Sequence, residues 1–267
     1  MFVHRYTLRM RRGAVREGAL LRVDGGFADV HPWPTLGDAP LDEQLALLAE
    51  GRTTPLTRAS LRCAAIDGEA RRRGVSLFEG LTIPLSHWPG ADPPPEFDTV
   101  KLKGVPEVPP DVRLRVDFNA RLTAEEFLRV AATLPRERVD FIEDPCPYDE
   151  EVWRELRART GLRLALDRFD GAADVLVHKP ALQTEWPSHP DVVVTSYMDH
   201  AIGQFFAAYV AATHETNPRC GLMTHVLYEP DAFFERVQRD GARLLPPRGT
   251  GLGFDDLLER LPWTSIG

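Results

Sequence analysis

From about residue 80 onward the chain repeats one unit, a short β-branched apolar run that ends in a charged or polar residue and is often followed by proline or glycine. LTIPLSH, TVKLKG, VRLRVDFN, VDFIEDP, LRLALDR, DVLVHKP, DVVVTSY and CGLMTHV succeed one another in this way, giving eight candidate strands. Helical spacing of apolar residues fills TAEEFLRVAATLP, DEEVWRELRARTG and HAIGQFFAAYVAATH between some of them, and DAFFERVQRDG after the eighth. Strands alternating with helices favour parallel pairing, and eight of them predict an α/β fold closed as a (β/α)8-type barrel. An open doubly wound sheet is the competing architecture.

Four connections, WPGADPPPEF, VPEVPPD, FDGAA and ALQTEWPSHP, are too short or too rich in proline for an ordinary crossover helix. The barrel is therefore expected to lack several outer helices over residues 81–267. Residues 1 to about 35 read differently, alternating apolar and polar in FVHRYTLRM and GALLRVDGGFADV around a glycine pair, as antiparallel strands do. LDEQLALLAEG and TRASLRCAAIDGEARRRG then carry helical periodicity and stop at glycine. Residues 1–80 are thus expected to form a small α+β domain at the N-terminus, within reach of a returning C-terminal tail.

Charge narrows the partners. With 32 Lys and Arg against 40 Asp and Glu, the net charge of −8 disfavours a general nucleic-acid or acidic-membrane surface and favours a small-molecule substrate. No apolar run approaches the roughly 20 residues that span a bilayer, and MFVHRYTLRMRRG lacks the apolar stretch of a secretory signal, so the expected location is cytoplasmic. Cys63, Cys146 and Cys220 are too scattered for a disulfide framework and read as reduced thiols. The oligomeric state is left open.

The polar residues that end the strands share a position: Lys101 and Lys103, then Arg115, Asp117 and Asn119, then Glu143, Asp167 and Lys179. Barrel active sites are built at that end. Side chains two apart on a strand point the same way, so Lys101 aligns with Lys103 and Arg115 with Asp117, and the apolar neighbours occupy the other face. Charges grouped in a barrel mouth are costly unless they compensate one another. Three mutually repelling carboxylates call for a divalent cation, and hard oxygen ligands suit Mg²⁺. Taken singly, each residue has a plainer reading: an acid ending a strand is commonly a turn or cap residue, a KxK a solvated edge, an Arg beside an Asp a structural pair. It is the ordered set, acids on three successive strands bracketed by lysines, that points to catalysis.

In that order, VKLKG, RLRVDFNA, FIEDPC, LALD and VHKPAL resemble the enolase superfamily, in particular its o-succinylbenzoate synthase branch of menaquinone biosynthesis. The resemblance runs from about residue 98 to the late GTGLGF, and the N-terminal domain fits the family's capping domain. It implies Mg²⁺, with Mn²⁺ an alternative, held by Asp117, Glu143 and Asp167, with Lys103 as general base and Lys179 across the substrate ring. The implied reaction removes the proton α to a carboxylate and then water from a cyclohexadiene dicarboxylate. Neighbouring positive charge, including Lys101, lowers the Lys103 pKa toward the useful range, and a cation at the carboxylate stabilises the charge that develops. This combination of a lysine base with Mg²⁺ is known from enolase-type sites.

Substrate contacts expected from the same alignment of motifs are Asn119, Thr195, Ser196 and Gly203, the last three at a helix start that would favour an anion. Arg115 meets either the succinyl carboxylate or a neighbouring carboxylate as counterion. The loop GGFADVHPWPTLGD is expected to act as a lid bearing Trp33, although His31 and Trp33 also suit packing at the domain junction. The chain departs from the family where Arg168 and Phe169 replace the usual Glu-Ser after Asp167. Two alternatives stay open: an N-acylamino acid racemase or dipeptide epimerase using both lysines, and a non-catalytic relative that binds a metal or an anion.

Overall fold

The computed structural model describes residues 1–104, 111–167 and 171–266. Strands β1 (Phe2–Arg9), β2 (Val15–Val23) and β3 (Gly26–Val30) form an antiparallel meander. Asp24 and Gly25 turn β2 into β3 with φ of 49° and 83°, the left-handed backbone that a two-residue hairpin requires. Helix α1 (Leu41–Ala49) follows, then α2 (Pro55–Arg72), which starts with Thr54 capping the Thr57 amide and Pro55 in the first turn. β3 lies directly on α2: a Cβ on Gly26 would stand 1.9 Å from the Ala64 carbonyl oxygen. The GGFADV segment is consequently a buried strand and not part of a lid, which corrects the expectation for that loop.

The second body begins with β4 (Leu85–Ser86). Strands β5 (Thr99–Lys103), β6 (Arg113–Asp117), β7 (Val139–Glu143), β8 (Leu164–Asp167), β9 (Val175–His178) and β10 (Val192–Val194) pair in parallel in sequence order. β11 (Arg219–Cys220) pairs in parallel with β4. Bridges from Thr195 to Gly221 and from Trp88 to Val100 join β10 to β11 and β4 to β5. The ring is thereby closed through eight strands, and the open doubly wound alternative is excluded.

Alternation along the strands sorts the side chains. Val100, Leu102, Leu114, Val116, Ile142, Leu164 and Leu166 face outward and pack on Phe127 of α3 (Ala124–Ala131) and on Trp153 and Leu156 of α4 (Glu150–Thr160). Truncating a side chain as buried as Trp153 costs about 3–5 kcal/mol. Phe141, Ala165, Val175, Val177 and Val193 form a separate cluster inside the ring. α3 and α4 supply two crossovers and α5 (Ala201–Thr213) a third, between β10 and β11. Among the described residues no helix links β4 to β5 or β9 to β10, as their prolines predict. Most of VPEVPPD, and Phe169 and Asp170 of FDGAA, lie outside the described residues.

DAFFERVQRDG is not a helix. The Asp231 carboxylate accepts from the Phe233 and Phe234 amides at 2.9 and 2.7 Å and starts only a 3-10 turn over Phe234–Arg236. The chain then turns at Gly241 into β12 (Arg239–Asp240) and β13 (Arg243–Leu244), and β13 pairs antiparallel with β4. After α6 (Asp255–Leu258), β14 (Thr264–Ser265) pairs with β1, bringing the tail back to the N-terminal sheet. No helix among the described residues is long and apolar enough to cross a membrane.

Candidate active site

Parallel register brings the charged strand ends together. Lys103 lies opposite Asp117, and Asp117 opposite Glu143. Glu143 faces Ala165, two residues before Asp167, and Asp167 faces Val177, two before Lys179. The lysines interleave with the acids. Lys101 Nζ donates to both Glu143 carboxylate oxygens at 2.6 Å and lies 3.1 Å from Asp117 Oδ2. Lys103 Nζ donates to Asp117 Oδ2 at 2.5 Å and to Asn119 Oδ1 at 2.9 Å, and the Asn119 amide donates to Asp117 Oδ1. Lys179 pairs with Asp167. Asn119 therefore joins the rim as a partner of Lys103.

The site is electrostatically tense. Burial and then repulsion from Asp117 push the Glu143 carboxyl up to about 8, against the opposing pull of Lys101. Burial also works against the Asp117 carboxylate, yet Lys101 and Lys103 hold it well below the usual range. Lys101 loses from burial and gains more from Glu143, Asp117 and Asp167, so its ammonium is held charged. For Lys103, partial burial and then the Lys101 charge lower the pKa, although the side chain remains 57% exposed. The two lysines of KxK are thus split, one fixed as a cation and one moved toward neutrality.

The acids fit a divalent cation in kind. Asp117 and Glu143 are 3% and 1% exposed, Asp167 Oδ1 is buried without a hydrogen bond among the described residues, and lysine ammonium groups lie against the three acids. Among the described residues no three acid, imidazole or thiol groups already converge as a closed ligand set, because Lys101 stands between Asp117 and Glu143.

Other expected contacts fall elsewhere. Arg115 is 1% exposed and lies one layer below the mouth. It shares a face with Asp117, but the register shifts beside it, between Leu114 and Arg115, where Leu114 faces Val139 and Arg115 faces Phe141. Its guanidinium donates to Asp140 at 2.8 Å, the Arg219 carbonyl at 2.7 Å and Asn217 at 2.9 Å, contacts His87 Nδ1 at 3.0 Å, and stacks over Phe141. Four of its five N–H groups are engaged inside the barrel, which corrects its expected role at a substrate carboxylate or beside the three acids.

Ser196 is buried, its hydroxyl 2.5 Å from that of Thr224. The Thr195 hydroxyl, also buried, makes no hydrogen bond among the described residues. Gly203 faces protein carboxylates: a Cβ there would meet Asp199 Oδ2 at 2.6 Å and Asp29 Oδ2 at 3.0 Å. The first turn of α5 at Gly203 is covered by the chain's own carboxyl groups, correcting the expected substrate contact at Gly203.

Two residues of the site escaped the strand-end pattern. Asp144 follows Glu143 and should point away from it, but its φ of 44° returns the carboxylate to accept from the Asp167 amide at 3.2 Å. Burial and then Asp167 push it up to about 7. Tyr197 lies beneath Lys179, whose Nζ is 5.7 Å from the ring centroid, and its carbonyl accepts from the Trp33 indole at 2.9 Å. The paired carboxylates of FIEDPC were a sequence signal for the first, whereas the second depends on cap-to-barrel packing.

Comparison with known proteins identifies the family. Residues 1–70 match the family model "O-succinylbenzoate synthase, N-terminal domain", and residues 77–171 match "Enolase C-terminal domain-like". An o-succinylbenzoate synthase of Bdellovibrio bacteriovorus is 34% identical over 94% of this chain and 92% of its own. One from Pectobacterium atrosepticum is 28% identical over 66% of this chain and 68% of its own. In fold the chain is similar to a dipeptide epimerase from Enterococcus faecalis solved with Mg and L-Leu-L-Tyr, with a TM-score of 0.75 at 16% identity, covering 94% of this chain and 97% of that one. The chain belongs to the o-succinylbenzoate synthase family, lyases of the enolase superfamily.

Proposed function

We propose that the chain forms o-succinylbenzoate for menaquinone biosynthesis in the cytoplasm, by removing a proton and then a hydroxyl, together one water, from a cyclohexadiene dicarboxylate. The interleaving of Lys101, Lys103 and Lys179 with Asp117, Glu143 and Asp167 in a chain of this family is the observation that carries the reading. Asp117, Glu143 and Asp167 would hold Mg²⁺ or Mn²⁺. When bound, the cation supplies positive charge beside the substrate carboxylate whose α proton leaves.

Lys103 takes that proton with its neutral amine, a form favoured by partial burial and by Lys101. It returns the proton to the departing hydroxyl, so the lysine ends as it began and the ring becomes aromatic. Lys101 remains charged and keeps its neighbour's pKa low. Lys179 lies across the opposite ring face, its ammonium set against π density. Thr195, whose hydroxyl is unengaged, is the remaining substrate contact of the β10 strand end. Residues 1–80 act as the cap and residues 81–267 as the catalytic body. An ultraviolet assay of o-succinylbenzoate formation tests the whole reading: product appears with Mg²⁺ and stops with a chelator, and no product from Mg²⁺-supplied, folded protein refutes it.

A further inference from the structure

The face of the N-terminal sheet turned toward the barrel carries Tyr6, Leu8, Arg16, Leu20 and Asp29, which are cross-strand neighbours or alternate along the strands. Arg16 lies on this face near the start of β2, opposite Leu8. Its guanidinium carbon lies 3.8 Å from the Trp33 ring centroid. The Trp33 indole donates to the Tyr197 carbonyl at 2.9 Å, its ring meets that of Tyr197 edge to face at 6.5 Å, and the Tyr197 ring lies under Lys179. A continuous aromatic path therefore leads from the proposed catalytic lysine to an arginine of the cap.

Arg5 pairs with Asp42, Arg9 with Glu229, Arg71 with Asp67 and Asp255, and Arg72 with Glu69. Among the described residues no carboxylate pairs with Arg16, and its Nε is buried without a hydrogen bond. Arg11, Arg12 and Arg22 of the same hairpin also pair with no carboxylate among the described residues, and Arg16 is set apart from them by its seat on Trp33 and its buried Nε. A planar cation fixed on an indole, with an unused donor shielded from water, is suited to receive a carboxylate. Its charge is also felt by buried His31, which burial first and Arg16 second hold neutral.

We propose that Arg16, held on Trp33, binds the succinyl carboxylate of the substrate and so selects a dicarboxylate over a monoacid. The reacting carboxylate belongs at the rim of lysines and acids, and Arg115, the other arginine considered for the distal group, is consumed inside the barrel. The inference rests on the proposed function, because that reading supplies the second carboxylate.

Binding of o-succinylbenzoate and of 2-butyrylbenzoate, which has a methyl group in place of the distal carboxylate, separates a contact from a packing role. Both are titrated by calorimetry into Mg²⁺-supplied wild-type, Arg16→Met and Arg16→Lys proteins, alongside the turnover assay. Arg16→Met is expected to weaken o-succinylbenzoate by about tenfold or more, the order for one charge-assisted contact, and to leave 2-butyrylbenzoate unchanged. Arg16→Lys is expected to recover part of the loss. Equal weakening of both ligands, or none, in a wild type that makes product overturns the role of Arg16 alone. A wild type that neither makes product nor prefers the dicarboxylate overturns the functional reading and this inference with it.

Discussion

Asp29 of the N-terminal sheet and Asp199 of the barrel bring two buried carboxyl groups against the same residue, Gly203 in the first turn of α5. Asp29 is satisfied by the Tyr6 hydroxyl at 2.6 Å and the His200 amide at 2.9 Å, whereas Asp199 Oδ1 has no hydrogen-bond partner among the described residues. Burial pushes Asp199 up to about 7, and burial followed by the Asp199 charge raises Asp29. His31 and His200, which share the cluster, are held neutral chiefly by burial. An unfolded aspartate titrates near pH ~4. Between that value and 7 the folded chain keeps a proton that the unfolded chain has released, so this group favours folding at the acidic end and its contribution is lost as pH rises through 7. Asp199→Asn imitates the protonated form. Its stability relative to wild type should rise from pH 5 to pH 8 in urea titrations, and parallel curves for the two proteins would contradict the assignment.

Arg115 is expected to matter for folding and not for substrate affinity. Arg115→Met leaves Asp140 and Asn217 without their main partner, and breaking such a buried pair costs about 3–5 kcal/mol. The urea midpoint should fall accordingly, while KM of the remaining folded enzyme stays close to wild type. A large rise in KM with unchanged stability would restore Arg115 to the substrate site.

These cases show what could be read from the chain alone. The period of the strand runs placed Lys101, Lys103, Asp117, Glu143, Asp167 and Lys179 at one end of a barrel, because alternation and parallel pairing are local rules that the sequence carries directly. Alternation also put Arg115 on the correct face, yet depth along that face depends on which strand slips against which, and the irregularity beside Asp140 is a tertiary event. Gly203 and Arg16 were illegible for a related reason. Part of their surroundings is distant in sequence, Asp29 beside Gly203 and Tyr197 behind Trp33 under Arg16, in contacts between the cap and the barrel that no sequence period encodes.

Asp167→Asn should weaken metal binding and turnover together. A ligand that binds only the folded state at one hundred times its Kd adds about 2.7 kcal/mol of stability, so Mg²⁺ should raise the thermal midpoint of wild type. The variant should show a smaller rise at the same Mg²⁺ concentration. An undiminished Mg²⁺ response would remove Asp167 from the proposed ligand set.

The last prediction divides the lysines. Lys103 is 57% exposed and, among the described residues, bonded only to Asp117 and Asn119, so Lys103→Ala should fold normally, whereas Lys101 is the main counterion of buried Glu143 and its removal should also destabilise the chain. If Lys103 both takes and returns the proton, Lys103→Ala abolishes turnover and the exchange of the substrate α proton with solvent. Lys179→Ala should lose turnover because the charge across the ring is gone, while Lys103 can still begin exchange slowly. Deuterium uptake followed by NMR in folded, Mg²⁺-supplied protein reads these outcomes separately. Exchange surviving in Lys103→Ala would refute the base assignment, and wild-type exchange from both faces of an N-acylamino acid or dipeptide substrate would establish that the two lysines also support racemisation.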